Sequence, residues 1–208
     1  NLFGGSINYE HIDQPSNEID EILDSLNDLV KAGKIRYIGL SNETPWGTMK
    51  FLHHSNISSV PRVQSIQNAY NLLNRTFEIG GSEIAHREDV GLLAYSPLAQ
   101  GYLTGKYQNG KLPKGSRKEL FNRLQRYEGP YAEEAIEDYL SIAKKYNIDP
   151  SQLANQFVTT RPFVTSNIIG ATNMKQLKLA VTSIEINLTK EIENEIEKAF
   201  QKHGNVAS

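Results

Sequence analysis

The chain has 208 residues, 38% hydrophobic and 22% charged, with a formal net charge of −2 and no cysteine. Its length allows one large domain with a sizeable core. The near-balanced charge gives no field favouring nucleic acid or an acidic membrane, and the lack of cysteine excludes disulfides, a thiolate nucleophile and a cysteine-ligated metal. No apolar run approaches the roughly 20 residues of a membrane span, and no signal-like stretch opens the chain. A soluble, cytoplasmic protein is therefore expected, and a first residue of Asn1 rather than methionine fits a fragment.

Residues 1–15 are rich in turn formers and read as a loop. A helix is expected from about Asn17 to Ala32. Ile19, Ile22, Leu23, Leu26, Leu29 and Val30 recur there at helical spacing, and Gly33 is the stop. Glu18, Asp20, Glu21 and Asp24 fall on its polar side, a solvated face. Lys34–Leu40 reads as a strand ending at Ser41-Asn42. Thr44-Pro45 then caps a helix carrying Trp46, Met49, Leu52 and His53. Neighbouring His53 and His54 point in different directions on a helix, which argues against joint metal ligation. A second strand over Val63–Gln67, a helix over about Phe77–Glu88 and a third strand from Gly91 follow. Helices alternating with strands at this even spacing predict a parallel sheet.

After Tyr107 the rhythm changes. Residues 108–130 form a long polar excursion in which Leu120, Phe121 and Leu124 hint at a short helix. It carries Lys111, Lys114, Arg117, Lys118, Arg123 and Arg126 against Glu119 and Glu128. Such a segment is either a solvated loop or a lid that brings positive charge to an anion. Helices are then expected near Tyr131–Tyr146 and Pro150–Thr160, the second capped by Asp149. A fourth strand over Val164–Ile169 precedes helices at about Asn173–Ser183 and Lys190–Lys202.

Chemistry on a parallel α/β framework gathers at the C-terminal ends of the strands. These ends offer Ser41-Asn42, Gln67-Asn68, Tyr95-Ser96 and Gly170-Ala171-Thr172. Amides and hydroxyls can grip an amide-bearing ligand, and Tyr95 offers a flat face for a ring. Each is equally readable as a turn polar group satisfied locally. The third strand feeds a small-residue loop with Ala99, Gly101, Thr104 and Gly105, followed by Lys106. That composition suits either a cradle for a phosphorylated ligand or an ordinary surface loop. No HExxH, CxxC or Walker-type loop occurs, so no metal site is expected.

Four stretches carry a more specific signal: KAGKIRYIGLSN (31–42), PRVQSIQNAYNLLNR (61–75), LLAYSPLAQGYLTGKY (92–107) and SNIIGATNMKQL (166–177). In this order and spacing the chain resembles the aldo-keto reductase family over nearly its whole length. The resemblance implies an α/β fold, the (β/α)8 TIM barrel, with residues 1–208 a partial barrel domain. This would be the C-terminal half, with four parallel strands and flanking helices. It also implies NADP(H) as cofactor and an aldehyde or ketone as substrate. Carried over by position, Ser41, Asn42 and Gln67 would hydrogen-bond the nicotinamide carboxamide, and Tyr95 would stack on its ring. Ser96, Leu98, Gly101 and Lys106 match the pyrophosphate loop, and Arg117 a basic residue of the cofactor-covering loop at 108–130. Gly170, Ala171, Thr172 and Gln176 match the adenosine-phosphate motif.

Two departures stand beside these matches. The family's tetrad of Asp, Tyr, Lys and His belongs to its first four strands, and neither Tyr9 nor His11 replaces it, so no catalytic residue is assigned. Where the family sets an asparagine against adenine this chain has Ala180, which removes a polar contact of about 1 kcal/mol. The resemblance thus implies the C-terminal part of an NADP(H)-dependent oxidoreductase, inactive alone. The alternative is a nucleotide-binding or regulatory remnant without chemistry. A half-barrel would leave two sheet edges unpaired and one face open, so self-association is expected, with no nucleic-acid or membrane partner.

Overall fold

The computed structural model describes residues 19–121 and 125–207. The loop expected at 1–15, the expected helix start at 17–18, Arg123 and Leu124 lie outside the described residues. The described residues fall into two compact units, one of 19–68 and 77–93, the other of 69–76, 94–121 and 125–207. No described helix is long and apolar enough to cross a membrane.

In the first unit, α1 (Ile19–Lys31) ends where Gly33 adopts φ +68. There the Gly33 N–H donates to the Val30 carbonyl and the Lys34 N–H to that of Leu29, a double closure that a left-handed glycine permits. This closure takes Lys34 out of the expected strand, so β1 is only Ile38–Ser41. Thr44 caps α2 (Pro45–Ile57), its hydroxyl accepting from the Gly47 N–H at 3.0 Å. On α2, Phe51 and Leu52 are buried while Trp46 is 70% exposed, with the Lys50 ammonium 5.4 Å from its ring centre. His54 turns to Asp20 of α1 at 2.5 Å, so Asp20, expected only as a solvated charge, also ties two helices together. β2 (Val63–Ala69) continues two residues past its expected end. The helix expected from Phe77 is divided by Gly80 at φ +80 into a 3-10 turn, Thr76–Glu78, and α3, Gly81–Glu88. β3 (Gly91–Tyr95) follows.

The expected four parallel strands are present, in the order β1-β2-β3-β4. In the register of β1 with β2, Ser41 stands opposite Gln67. In β3, Leu92 and Ala94 are buried at the alternate positions a pleat dictates. In β2 the buried residues Val63, Ile66 and Ala69 instead recur every third position, and the register with β1 shifts after Val63.

The second unit is built mainly on helices. After α4 (Arg117–Phe121) come α5 (Ala132–Lys145), α6 (Pro150–Thr159), β4 (Val164–Ile168), α7 (Met174–Thr182) and α8 (Lys190–His203). Asp149, Asn173 and Thr189 cap α6, α7 and α8 through side-chain oxygens. The core joins Ala135, Ile136, Tyr139 and Ala143 of α5 to Leu153, Ala154, Phe157 and Val158 of α6, and to Ile192 and Ile196 of α8. Tyr70 stacks on Phe157 at 5.8 Å and meets Phe163 edge-on at 5.2 Å. By contrast, β4 and α7 have no buried residue, and Ile168, Ile169, Met174, Leu177 and Val181 are exposed.

One buried charge organises this core. The Arg75 side chain is 9% exposed, its guanidinium 4.0 Å from the Phe200 ring centre and 5.5 Å from that of Phe157. It pairs with Glu197 at 2.9 Å, while its backbone N–H donates to the Asn205 side chain at 2.6 Å. Because Glu197 remains 46% exposed, it regains water if the arginine is lost, whereas the packing between the rings does not recover. Arg75→Ala should cost about 2 kcal/mol of unfolding free energy in urea. Glu197→Gln should cost less than about 1 kcal/mol. Equal losses would show that the ion pair, not the stacking, carries the clamp.

Candidate functional site

The first unit holds the polar ends of β1 and β2. Ser41 and Asn42 are exposed and Gln67 is half-buried. The structure brings these three together: Ser41 lies opposite Gln67, and the Asn42 N–H donates to the Gln67 carbonyl at 3.0 Å. Asn42 has φ +52, a conformation asparagine tolerates better than most residues. Beside them the Asn68 amide nitrogen donates to the Glu43 carbonyl at 3.3 Å, and its side-chain oxygen is buried without a partner among the described residues. Hydroxyl and amide groups at neighbouring strand ends combine donors and acceptors of the kind that a planar amide can meet.

In the second unit the end of β3 enters a tight, left-handed loop. Ser96, Ala99, Gln100 and Gly101 have φ of +58, +48, +57 and +103. Three of these four are not glycine, and such backbone costs on the order of 1 kcal/mol per residue or more. Ala99, Gln100 and Gly101 are left-handed in succession, and the N–H groups of Ala99 and Gly101 are used to close the turn on itself. The loop is braced by Ala99 N–H to Ser96 carbonyl (2.9 Å), Gly101 N–H to Leu98 carbonyl (2.8 Å) and Thr104 hydroxyl to Gly101 carbonyl (2.8 Å).

Gly101 is where the loop and Lys106 meet. A Cβ there would lie 2.6 Å from Lys106 Cε and 2.7 Å from its Nζ, so the lysine folds back onto the glycine. Its ammonium also lies 5.0 Å from the Tyr107 ring centre. Among the described residues Lys106, Lys111, Lys114 and Arg117 form no ion pair, and Lys111, Lys114 and Arg117 are exposed. Ser96, Leu98, Gly101 and Lys106 therefore come together as one loop, with Arg117 at the start of α4.

Residues 108–130 carry α4 and two 3-10 turns, Gln108–Gly110 and Gln125–Tyr127. Their anchor was not foreseen from the sequence. Lys118 pairs with Glu128 at 2.8 Å and lies 5.5 and 5.8 Å from the ring centres of Tyr102 and Tyr107. The Tyr102 hydroxyl donates to the same Glu128 carboxylate. Lys118, and then Tyr102, hold the Glu128 carboxyl below its ordinary value despite some burial. Burial, with the hydrogen bond and charge of Glu128, pushes the Tyr102 phenol up. The signal available beforehand was weak: a lysine ten residues before a glutamate, each readable as one more charge on a polar segment.

The last group stands after β4. The side-chain oxygen of Gln176 accepts from the Thr172 N–H at 2.8 Å and its hydroxyl at 3.0 Å. Gly170, Ala171, Thr172 and Gln176 are all exposed, and Ala180 is half-buried. Thr172 and Gln176 are thus brought together at the start of α7. A separate groove of about 330 Å³ along α5 and α8 is lined by lysines and carboxylates that pair among themselves, including Lys145 with Glu195 and Lys202 with Asp138. No group of three or more His, Asp or Glu among the described residues could hold a metal ion.

The lowered value at Glu128 sets a pH window. A carboxylate depressed in the folded state stabilises it fully above its unfolded value, about 4.3, and loses that effect as pH falls through the folded value. Glu128 is 34% exposed, so solvent screening limits the effect to roughly 0.5–1 kcal/mol. Glu128→Gln should therefore be less stable than wild type by that amount at pH 6–8, and the difference should close below about pH 4. Chemical denaturation across this range checks it. A gap independent of pH would remove the charge from the explanation.

The family model described as the aldo/keto reductase family matches residues 7–201. Over 198 residues the chain is 45% identical to Protein tas of Escherichia coli, covering 95% of this chain and 57% of that protein, a little over half of its length. It is 39% identical over 199 residues to an aldo-keto reductase of Babesia bovis, covering 92% of this chain and 70% of the other. To the L-glyceraldehyde 3-phosphate reductase of Escherichia coli it is 32% identical over 187 residues, covering 87% and 53%. A family match across almost the full sequence, on four parallel strands with flanking helices, means that this chain belongs to the aldo/keto reductase family.

Proposed function

We propose that this chain supplies the nucleotide-binding part of an NADP(H)-dependent oxidoreductase that reduces an aldehyde or ketone by hydride transfer. The observation that carries this reading is the left-handed loop at 96–101 with the Lys106 ammonium folded against Gly101. Strained backbone at a small-residue turn, next to a cation without an ion pair among the described residues, suits a pyrophosphate better than it suits stability. On this reading Ser96, Leu98, Gly101 and Lys106 hold the pyrophosphate, and Arg117 approaches it from the covering segment, 108–130. Ser41, Asn42 and Gln67 take the nicotinamide carboxamide, Tyr95 its ring, and Gly170, Ala171, Thr172 and Gln176 the adenosine phosphate. When bound, the cofactor supplies the hydride, and these residues orient it.

None of these groups is poised to protonate the oxygen of a reduced carbonyl. Positioned proton transfer contributes roughly 10²–10⁴ in rate, so the chain alone should bind nucleotide without turning over aldehydes or ketones. NADPH should bind more tightly than NADH, and its affinity should fall with salt, because Lys106, Lys111, Lys114 and Arg117 offer charge to a polyanion. Fluorescence titrations of both nucleotides at two ionic strengths, with a turnover assay beside them, test this. Equal, salt-independent affinities would sink the basic-segment reading. Turnover above a blank that disappears in Gln67→Ala would place the chemistry within this chain.

The exposed apolar side chains of β4 and α7 support a second copy of the chain as a partner. Sedimentation velocity at several concentrations should show association that weakens in Met174→Lys and Val181→Lys. A monodisperse monomer at all concentrations would remove that partner.

A further inference from the structure

Asn71 lies within the stretch 61–75 but carries no role in the cofactor reading, yet it is a fully buried polar residue, at 0% exposure. It follows β2 within the second unit, in the turn Asn71–Asn74, whose backbones exchange hydrogen bonds at 3.0 Å in both directions. The side-chain oxygen accepts from the Leu73 and Asn74 N–H groups, each at 3.0 Å, which locks the amide plane to the turn. The amide nitrogen then has one orientation left, and both of its hydrogens are used. One donates to the Ser96 carbonyl at 3.0 Å, the other to the Tyr127 hydroxyl at 3.2 Å.

Both targets have mechanical meaning. Ser96 opens the left-handed loop, and the residue after it is Pro97, which has no N–H. The Ser96–Pro97 peptide can therefore be held only through its carbonyl. That oxygen accepts from Asn71 outside the loop and from the Ala99 N–H inside it. Tyr127 closes the segment at 108–130. It is buried, with its ring 5.9 Å from that of Tyr102.

We propose that Asn71 is a positioning residue that fixes the entry of the nucleotide loop and the return of the covering segment in one register. It does so by donating from a single amide nitrogen to Ser96 and to Tyr127. As a statement about nucleotide binding it rests on the cofactor reading above; as a statement about the loop it stands on the geometry alone. The role requires two donors and an acceptor on one short side chain, which only an amide supplies. Aspartate keeps the acceptor for Leu73 and Asn74, loses both donations and turns a negative charge on the Ser96 carbonyl.

The test uses Asn71→Asp, Tyr127→Phe and the double variant. Without nucleotide, hydrogen–deuterium exchange in Asn71→Asp should accelerate at amides 98–106 and 127–131, while the protected amides of α6 and α8 keep wild-type rates. Tyr127→Phe should accelerate only the second group. With NADPH, Asn71→Asp should weaken binding about ten-fold and Tyr127→Phe about three-fold, the scale of one or two lost hydrogen bonds. The double variant should be no weaker than Asn71→Asp, because the two residues act through one contact. Uniformly faster exchange across the second unit would overturn the proposal in favour of a general core role. So would wild-type exchange in the loop, or NADPH affinity within two-fold of wild type in Asn71→Asp. Absence of NADPH binding to the wild type defeats the cofactor reading, and the exchange pattern still decides the positioning role.

Discussion

Backbone held in the left-handed region at Ser96, Ala99 and Gln100 is the constraint on which the second unit depends. Each of these residues stands above its relaxed conformation by an energy comparable to a hydrogen bond, and the loop persists only because its surroundings leave it no alternative. The restraints come from three directions. The turn after β2 supplies Asn71, the loop itself supplies Thr104, and the segment at 108–130 supplies Lys118 and Glu128, packed on Tyr102 and Tyr107. That so many side chains serve one six-residue turn is hard to account for by stability alone. It is readily understood if the turn must hold one shape beside a ligand, with the Lys106 side chain folded onto Gly101.

On the helices of the second unit some cations are matched locally: Arg161 with Glu193, Lys145 with Glu195, and Lys202 with Glu134 and Asp138. Lys144, Lys175, Lys178 and Lys190 form no ion pair among the described residues. Burial alone would push the Asp138 carboxyl up. The hydrogen bonds and charges of His203 and Lys202 outweigh it and hold the group below its ordinary value. His203 and Lys202 also stand in the last turn of α8, where positive charge favours the helix end. Near the left-handed loop Lys118 is paired with Glu128, while Lys106 and Arg117 stand outside any ion pair among the described residues.

Much of this was legible in the sequence. Apolar periodicity located the helices, and Thr44, Asp149 and the glycine at 33 marked ends that hydrogen bonding then explained. Where the reading missed, the reason is local. Lys34 to Tyr37 look like the start of β1, but the helix stop draws the Lys34 amide back to Leu29. Phe77 to Glu88 look continuous, but Gly80 breaks them. For the candidate site, strand ends and small-residue loops announce themselves through composition, which is what marks Gln67, Ser96, Gly101 and Lys106 as candidates. Asn71, Tyr127 and Lys118 do not. Their importance lies in contacts 25, 56 and 10 positions away, to Ser96, Asn71 and Glu128, and no local pattern encodes such a pairing.

The uneven placement of aromatic side chains gives the two units separate optical identities. The single tryptophan, Trp46, sits in the first unit and is already largely in water. Its emission is therefore that of a solvated indole, and melting the protein alters it little. Among the described residues the buried tyrosines Tyr70, Tyr102, Tyr107, Tyr127 and Tyr139 all belong to the second unit, three of them tilted against one another near the left-handed loop. Near-ultraviolet dichroism at tyrosine wavelengths thus monitors the packing of the second unit almost alone. A fluorescence trace from the indole would leave a chain with its core dissolved looking nearly unchanged.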